Sequence, residues 1–336
     1  MPVPVTSSII APDYLAQLLQ QRYALGDGVT CRLLKAGVNH SYRVQAGAQA
    51  YVFRIYSLNW RTEVEISEEI RLLDHVRAGG IPVSNALPDP AGQYLQPIDA
   101  PEGLRYGVLF SFAPGQKILT FPAEQHEQLG RTMARFHQLT AGYTLNRITY
   151  TAEPLLVESL NGARPFFAGD SAEWRFLNGA QTTLLAAWAT ADWSQLPVGA
   201  VHLDIWFDNM SFDAAGQATL FDFDFCGNGP LALDVGYYLM QLHSTEGIEA
   251  DFLAKRARFL AGYESVRPLT DEEKRLLPVF SMSIYLYYLG VQCQRFDNWS
   301  NVFINEVYLQ RFVEMRIKRW FDYNGLIVAE AAAGGL

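Results

Sequence analysis

The stretch from residue 201 to residue 239 embeds acidic side chains among apolar, β-forming residues, and no other segment constrains the chain as strongly. Its polar members are His202, Asp204, Asn209, Asp222, Asp224 and Asp234. A carboxylate is costly to place in a water-poor site unless another group pairs with it. The cluster therefore indicates a bound cation, and oxygen ligands from Asn and Asp suit a hard ion such as Mg²⁺.

The spacing within this stretch predicts how its side chains meet. On an extended backbone His202 and Asp204 point to the same side, and Asn209 follows five positions later, within reach of a short loop. The run FDFDF at 221–225 predicts a strand with Asp222 and Asp224 on one face and three Phe rings on the other. Each Asp alone also fits a cap or a surface carboxylate, and His202 fits a base, a metal ligand or a buried structural histidine.

Length, charge and composition narrow the class of protein. The 336 residues exceed the size at which single cores stop growing, so we expect two lobes. A net charge of -9 without a basic patch argues against a nucleic-acid binder, and three widely spaced cysteines predict neither a disulfide framework nor a metal site. Because we find no basic leader and no apolar run of about 18 residues, we expect a cytoplasmic protein without a membrane segment. A monomer or a homodimer is expected.

The apolar pattern predicts an α+β chain whose strands come first. A helix near 11–25 precedes three antiparallel strands within 31–57, a helix over 61–80 and another hairpin within 85–112. A Pro-Gly break follows, and then helical patterns near 124–142, 171–190, 249–263, 271–296 and 305–321. We therefore expect a small antiparallel-β lobe with a helix over 1–113, a larger, mostly helical lobe over 114–326 and a tail over 327–336.

The spacing of His202, Asp204 and Asn209 completes the motif H-x-D-x-x-x-x-N, and FDFD follows at 221–224. With these residues the chain resembles the aminoglycoside phosphotransferase and choline kinase superfamily, which has the protein-kinase-like fold. Its Tyr-rich C-terminal helix with QCQRFDNW is most similar to the bacterial stress-response and homoserine-kinase-like branch. The resemblance implies a bilobal kinase-like fold, ATP and Mg²⁺ as cofactors, and transfer of a phosphoryl group to a hydroxyl.

The resemblance also implies roles for the residues of the central motifs. Asp204 becomes the base that accepts the hydroxyl proton or the group that orients the substrate. Asn209 and Asp222 become Mg²⁺ ligands, and Asp224 becomes a candidate further ligand. His202 becomes a structural residue.

In the small lobe, the resemblance implies nucleotide contacts from a strand, a helix, the first hairpin and the linker to the second lobe. These candidates are Arg54, Glu69, Asn39, Ser41, Ser111 and Ala113. Arg54 would contact phosphate oxygens, and Glu69 would be its carboxylate partner, with Glu68 and Glu65 as less favoured readings. Backbone groups of the hairpin would cover the phosphates, and those of the linker would meet adenine.

Asp234 resembles the family Asp that starts a core helix and hydrogen-bonds back to the catalytic loop. Only twelve positions separate it from Asp222, whereas protein kinases insert a long activation segment there to seat a peptide. A small-molecule alcohol is therefore the expected acceptor. The expected wall residues, which also fit plain core packing, are Trp206, Asp208, Tyr285, Tyr288, Gln292, Arg295 and Trp299.

The sequence leaves the acceptor open among an amino sugar, a choline-like amino alcohol and homoserine. A net-acidic lobe suits a cationic amine, whereas Arg295 could bind a carboxylate. A Ser/Thr protein kinase of the bacterial stress-response type is one alternative, and a nucleotide-binding pseudokinase scaffold is another. Leu203, where the family usually has Gly between the His and the Asp, is the one feature that favours the scaffold.

Overall fold

An antiparallel sheet forms the first third of the protein, for which a computed structural model describes residues 3–329. The elements there are α1 (Pro12–Tyr23), β1 (Thr30–Ala36), β2 (His40–Ala46), β3 (Gln49–Ile55), α2 (Glu63–Ala78), β4 (Ala86–Leu87), β5 (Gln96–Ala100) and β6 (Gly103–Ser111). The strand order is β1-β2-β3-β6-β4, and β5 also pairs with β6. The predicted hairpins and both predicted helices are confirmed.

Helix α2 begins at a capping box that its sequence encodes. The Thr62 hydroxyl accepts a hydrogen bond from the Glu65 N–H at 3.2 Å, and the Glu65 carboxylate accepts one from the Thr62 N–H at 2.8 Å. Ile66, Ile70 and Glu69 are all buried, so the apolar face of the helix carries one carboxylate inward. This orientation sends Glu69 towards β3.

Helices dominate the rest of the described chain. They are α3 (Ala123–Thr140), α4 (Ser159–Ala163), α5 (Ala172–Ala189), α6 (Ala232–Thr245), α7 (Glu249–Glu264), α8 (Asp271–Gln294), α9 (Glu306–Phe312) and α10 (Arg319–Tyr323). Two small antiparallel sheets lie between α5 and α6: β7 (Val198–Val201) with β10 (Gly227–Pro230), and β8 (Met210–Phe212) with β9 (Ala218–Leu220). The α+β class and the strands-first order are confirmed.

The linker between β6 and α3 passes directly over β8. Gly115 has a φ of +89°, and a Cβ there would overlap the carbonyl oxygen of Phe212. Gln116 and Phe212 exchange two backbone hydrogen bonds of 3.0 and 2.9 Å. The predicted Pro-Gly break is therefore a point where close backbone approach and a positive φ both require glycine.

Helix α8 is long and apolar enough to cross a membrane by length and composition, since its most apolar window has a mean hydropathy of 1.4. Its sequence carries no charged residue between Arg275 and Arg295, so the expectation that no apolar run reaches this length was wrong. However, 83% of that window is buried inside the protein. The burial is that of a core helix, against which α4 and α6 pack.

Three local predictions were wrong. Leu203 has a φ of 66°, so the backbone from His202 to Asp204 is not extended. Asp222 has a φ of 65° and is followed by a short 3₁₀ turn, so FDFDF is not a strand. The predicted tail begins too early, because the Thr183 hydroxyl on α5 donates to the carbonyl of residue 327 at 2.8 Å and accepts the N–H of residue 329 at 3.0 Å. Residues 330–336 of that tail lie outside the described residues.

Candidate active site

Two adjacent cavities open beside the central stretch. The sheet-side cavity, of about 580 Å³, is lined by residues of the sheet, the linker and β8. The helix-side cavity, of about 310 Å³, lies between the central stretch and helices α6, α8 and α9. Both have the size of small-molecule sites. Six residues line both cavities: Lys35, Ser41, Arg54, Asp208, Asn209 and Asp222.

Asp204 lines the helix-side cavity, and two short hydrogen bonds orient its carboxylate. The Tyr237 hydroxyl donates to Oδ1 at 2.6 Å, and Asn209 Nδ2 donates to Oδ2 at 2.6 Å. Burial raises the pKa of Asp204 to about 8, while the hydrogen bond from Tyr237 opposes the rise. The short loop predicted between Asp204 and Asn209 therefore brings them into direct contact.

Tyr237 is itself the end of a line of hydrogen bonds that crosses the wall of this cavity. Arg316 Nη1 donates to the Tyr285 hydroxyl at 3.2 Å, and Tyr285 donates to Gln241 Oε1 at 2.8 Å. Gln241 Nε2 then donates to the Tyr237 hydroxyl at 2.7 Å. Sequence reasoning missed Tyr237 and Gln241, although their positions three and seven residues after Asp234 put them on one face of a helix.

The two aspartates of FDFD point in different directions. The Asp222 side chain is 45% exposed, faces both cavities and lies 3.6 Å from Arg54 Nη1. Asp224 is buried, and its oxygens accept hydrogen bonds from Arg61 Nε at 3.1 Å and Trp60 Nε1 at 2.7 Å. Burial opposes the charge of Asp224, but Arg61 and Arg54 outweigh it and keep its pKa below the usual range. Because both oxygens have protein donors, the contacts do not support Asp224 as a further metal ligand.

Asp234, at the start of α6, holds the loop that carries Asp204. Its Oδ2 accepts the His202 N–H at 2.9 Å and its Oδ1 accepts the Leu203 N–H at 2.6 Å. Burial lowers the pKa of the His202 ring. Its Nδ1 accepts the Asp204 N–H at 3.2 Å. His202 and Asp234 thus lie behind the loop, as their predicted structural roles require, and line neither cavity.

Leu203→Gly should destabilise the protein even though Leu203 has the left-handed backbone that glycine favours. Its side chain is fully buried, and loss of that burial costs about 2–5 kcal/mol, against about 1–2 kcal/mol of relieved strain. We expect a net loss of roughly 1–3 kcal/mol in the free energy of unfolding, measured by denaturant titration. Ala24→Gly is the control, because Ala24 has a φ of 51° and is exposed; it should stabilise the protein. A more stable Leu203→Gly variant would contradict this balance.

Arg54 and Glu69 form a buried ion pair at the back of the sheet-side cavity. Arg54 Nη1 lies 2.9 Å from Glu69 Oε1, and the Tyr56 hydroxyl donates to Glu69 Oε2 at 2.9 Å. The two alternative glutamates are used elsewhere, since Glu68 pairs with an arginine of its own helix and Glu65 caps α2. The structure therefore selects Glu69 as the partner of Arg54.

Three of the four residues predicted to contact the nucleotide from the first hairpin and the linker line a cavity. Asn39 lines the helix-side cavity, Ser41 lines both cavities and Ala113 lines the sheet-side cavity. Ser111 lines neither. Its hydroxyl donates to Asn85 Oδ1 at 3.1 Å and its N–H donates to the Asn85 carbonyl at 2.9 Å. Because Asn85 uses these groups, the prediction that Ser111 meets the nucleotide is not supported.

Two lysines from different elements bind the same carboxylate between the cavities. Lys35 Nζ lies 3.3 Å from Asp208 Oδ2, and Lys117 Nζ lies 2.8 Å from Asp208 Oδ1. Both lysines also line the sheet-side cavity. Sequence reasoning missed them because isolated surface lysines carry no motif, and it placed Asp208 only in the acceptor wall.

Most of the predicted acceptor wall lines the helix-side cavity: Trp206, Asp208, Tyr285, Tyr288, Gln292 and Trp299. Arg295 does not, because it follows the end of α8 and its guanidinium lies 5.4 Å from the centre of the Trp60 ring. A different arginine, Arg316, lines this cavity together with Tyr308 and Phe312. The helical stretch after α8, which the sequence indicated only as a helix, thus completes the wall.

Asn209 and Asp222 fit a divalent cation. Asn209 uses its Nδ2 to bind Asp204, which leaves its amide oxygen for another partner, and the Asp222 carboxylate is open to both cavities. Among residues 3–329 no three His, Cys, Asp or Glu side chains are grouped to hold a metal by themselves. One amide and one carboxylate nevertheless suit Mg²⁺, which takes one or two carboxylates together with substrate phosphates.

Comparisons with known proteins agree with this geometry. Residues 30–269 match the phosphotransferase enzyme family. An uncharacterized protein of Synechocystis sp. is 31% identical over 87% of this chain and 80% of its own length. A homoserine kinase of Xanthobacter autotrophicus is 28% identical over 87% of this chain and 88% of its own.

Solved kinase structures share the fold. A microcompartment-associated aminopropanol kinase has a TM-score of 0.76 at 20% identity, covering 94% of this chain and all of that one. An amicoumacin kinase in complex with AMP-PNP and Ca²⁺ has a TM-score of 0.75 at 20% identity, covering 93% of each chain. These likenesses confirm the predicted kinase-like fold. Since the family match spans Arg54, Glu69 and the whole central stretch, the chain belongs to the phosphotransferase enzyme family.

Proposed function

We propose that the protein transfers the γ-phosphoryl group of ATP, with Mg²⁺, to a hydroxyl of a small molecule such as an amino sugar, an amino alcohol or a homoserine-like compound. One observation carries the proposal: Asn209 and Asp222 line both cavities, whereas Ala113 lines only the sheet-side cavity and Asp204 only the helix-side cavity. A nucleotide in the first cavity and an alcohol in the second would therefore meet at the two oxygen ligands. A cytoplasmic location belongs to the same proposal.

The side chains around this junction have complementary tasks in the proposed reaction. Arg54, fixed by Glu69, binds phosphate oxygens, and Tyr237 and Asn209 orient the carboxylate of Asp204. Asp204 takes the hydroxyl proton while the acceptor oxygen bonds to the γ-phosphorus and the bond to the bridging oxygen breaks, leaving ADP. A Mg²⁺ ion held by Asn209 and Asp222 would neutralise the phosphate charge.

The chain between Asp222 and Asp234 supports a small acceptor. A short 3₁₀ turn over residues 223–225 and the four-residue strand β10, which pairs with β7, fill most of these positions, and α6 begins at residue 232. No long activation segment is therefore inserted there to seat a peptide. The homoserine kinase relatives and the aminopropanol kinase neighbour also act, by their names, on small molecules. The protein-kinase alternative requires a peptide at the opening of the helix-side cavity instead.

The proposal predicts that ATP with Mg²⁺ stabilises the protein more than ATP with EDTA. At a nucleotide concentration of about 100 times the dissociation constant, the gain is about 2.7 kcal/mol, which a thermal melt detects readily. ADP release should then depend on an alcohol from a panel of amino alcohols, sugars and hydroxy amino acids. The same melt with GTP reports the choice of nucleotide.

The outcomes separate the alternatives. Stabilisation by nucleotide without transfer to any alcohol or to a protein substrate would favour the pseudokinase scaffold. Transfer to a generic protein substrate but to no small alcohol would favour the protein kinase. Absence of any Mg²⁺-dependent stabilisation would contradict the proposed site.

A further inference from the structure

We infer that the acceptor carries a carboxylate at the end opposite its reactive hydroxyl, and that Arg316 binds this carboxylate. The inference rests on the proposed function and narrows it, because it replaces three acceptor classes by one. The compounds meant are short aliphatic hydroxy acids and hydroxy amino acids whose hydroxyl lies far from the carboxylate.

The carboxylates that line the helix-side cavity are all engaged by other side chains or by the proposed reaction. Its carboxylates are Asp204, Asp208, Asp222 and Asp224. Asp208 is paired with two lysines, and Asp224 is paired with Arg61 and Trp60. Asp204 and Asp222 serve the hydroxyl and the metal in the proposed reaction. The several ammonium groups of a polycationic amino sugar would therefore find no spare carboxylates in this cavity, which argues against that class of acceptor.

Of the cationic side chains that line the same cavity, Arg316 alone lacks a carboxylate partner among the described residues. Lys35 pairs with Asp208, and Arg54 pairs with Glu69. Arg316 has no carboxylate within 4.0 Å among the residues that the structure describes, and its one hydrogen bond goes to the neutral Tyr285 hydroxyl at 3.2 Å. A guanidinium in this position has donors left for a planar anion, and carboxylate is the anion that its fork fits.

The backbone around Arg316 has an unusual helical geometry. Residues 313–318 form an i→i+5 helical turn between α9 and α10, a rare geometry that occurs frequently at functional sites. Phe312 and Arg316, which flank its first turn, both line the cavity. The wide turn thus places a cation beside apolar surface, as a short aliphatic acid requires.

The hydrogen-bond line from Arg316 to Asp204 gives the arrangement of the two ends. It runs through Tyr285, Gln241 and Tyr237, and all five residues line the same cavity. An acceptor lying along this line has its hydroxyl at Asp204 and its carboxylate at Arg316. Because three side chains lie between the two ends of this line, we expect an α-hydroxy acid, whose two groups are adjacent, to be a poor acceptor.

Matched alcohols with and without a carboxylate test the inference. We expect 4-hydroxybutyrate and homoserine to be phosphorylated with a kcat/KM at least about tenfold above that of 1,4-butanediol, 2-aminobutane-1,4-diol and choline. Arg316→Gln should raise the KM for the two acids by about 10–100-fold, because a charge-assisted hydrogen bond is lost, and Arg316→Lys should restore part of the loss. The KM for ATP should not follow this rise. Arg311→Gln, an exposed arginine of α9 outside both cavities, is the matched control.

Failure of the inference and failure of the proposed function give different results. Transfer to the neutral or cationic alcohols with equal efficiency, unaffected by Arg316→Gln, would overturn the inference and leave the phosphotransferase standing. If no alcohol is phosphorylated, calorimetry with 4-hydroxybutyrate in the presence of Mg²⁺ and a non-hydrolysable ATP analogue decides the point. Binding that Arg316→Gln abolishes supports the carboxylate site although transfer has failed, and binding that is absent or insensitive to Arg316 overturns it.

Discussion

Replacing Asp204 with asparagine should lower kcat for phosphoryl transfer by about 10²–10⁴-fold while ATP still binds. Asparagine retains a side-chain oxygen that can accept the Tyr237 hydroxyl, whose bond to Asp204 is 2.6 Å long. It cannot accept a proton from the alcohol. The loss should therefore appear in the chemical step, because Asp204 lines the helix-side cavity and not the sheet-side cavity proposed for the nucleotide.

Single-turnover kinetics with a saturating acceptor, together with calorimetry of ATP and Mg²⁺, measure the two parts separately. Asp213→Asn is a matched control from the same segment, since the Asp213 carboxylate accepts two backbone N–H groups at 2.9 Å in the β8–β9 turn and lines neither cavity. This control should retain its turnover. Near-normal turnover of Asp204→Asn would remove Asp204 from the role of base.

The parts of the site that the sequence predicted are those whose geometry is local. Asp204 and Asn209 are five positions apart, so a single loop brings them together whatever the remaining chain does. Helical periodicity from Ile66 and Ile70 likewise agrees with the place of Glu69 on the buried face of α2, although its pairing with Arg54 was expected from the resemblance alone. Local arrangements of this kind depend on spacing, and spacing is visible in a sequence.

The parts that the sequence did not predict depend on distant packing. The split between Asp222 and Asp224 follows from one left-handed residue and from Trp60 and Arg61, which lie more than 160 positions away from Asp224 in the chain. The alternation of side chains predicted for residues 221–225 was wrong, because successive side chains point to opposite faces only while every residue stays extended.

The exchange of Arg295 for Arg316 has a similar cause. Arg295 follows α8 and Arg316 follows α9, and only the packing of the stretch after α8 decides which one lines the helix-side cavity. Ser111 was misplaced because Asn85, on the approach to β4, takes its hydrogen bonds. In each case the competing partner comes from an element that sequence periodicity cannot position.

Replacing Asp222 should remove the Mg²⁺ dependence of nucleotide binding. We expect the dissociation constant for ATP with Mg²⁺ to rise by at least about tenfold, because a charged ligand is lost. In EDTA the affinity should stay the same or improve, because the carboxylate that faces the phosphates no longer repels them. Asp222→Asn is preferable to Asp222→Ala, since asparagine tolerates the left-handed backbone at a φ of 65° and separates metal loss from backbone strain.

Asp224→Asn is the matched control for this experiment, because it changes the neighbouring carboxylate of the same motif. Arg61 would then lose its buried anionic partner, at a cost of about 3–5 kcal/mol in the free energy of unfolding. At a temperature where the variant is folded, the ratio of its ATP affinities with Mg²⁺ and with EDTA should be unchanged. Asp222→Asn should show the reverse, with little change in stability, since the Asp222 side chain is 45% exposed and lies 3.6 Å from Arg54. The opposite pattern would be a fall in the ratio of ATP affinities for Asp224→Asn and an unchanged ratio for Asp222→Asn. That result would contradict the assignment, because it would make Asp224 the metal ligand and not Asp222.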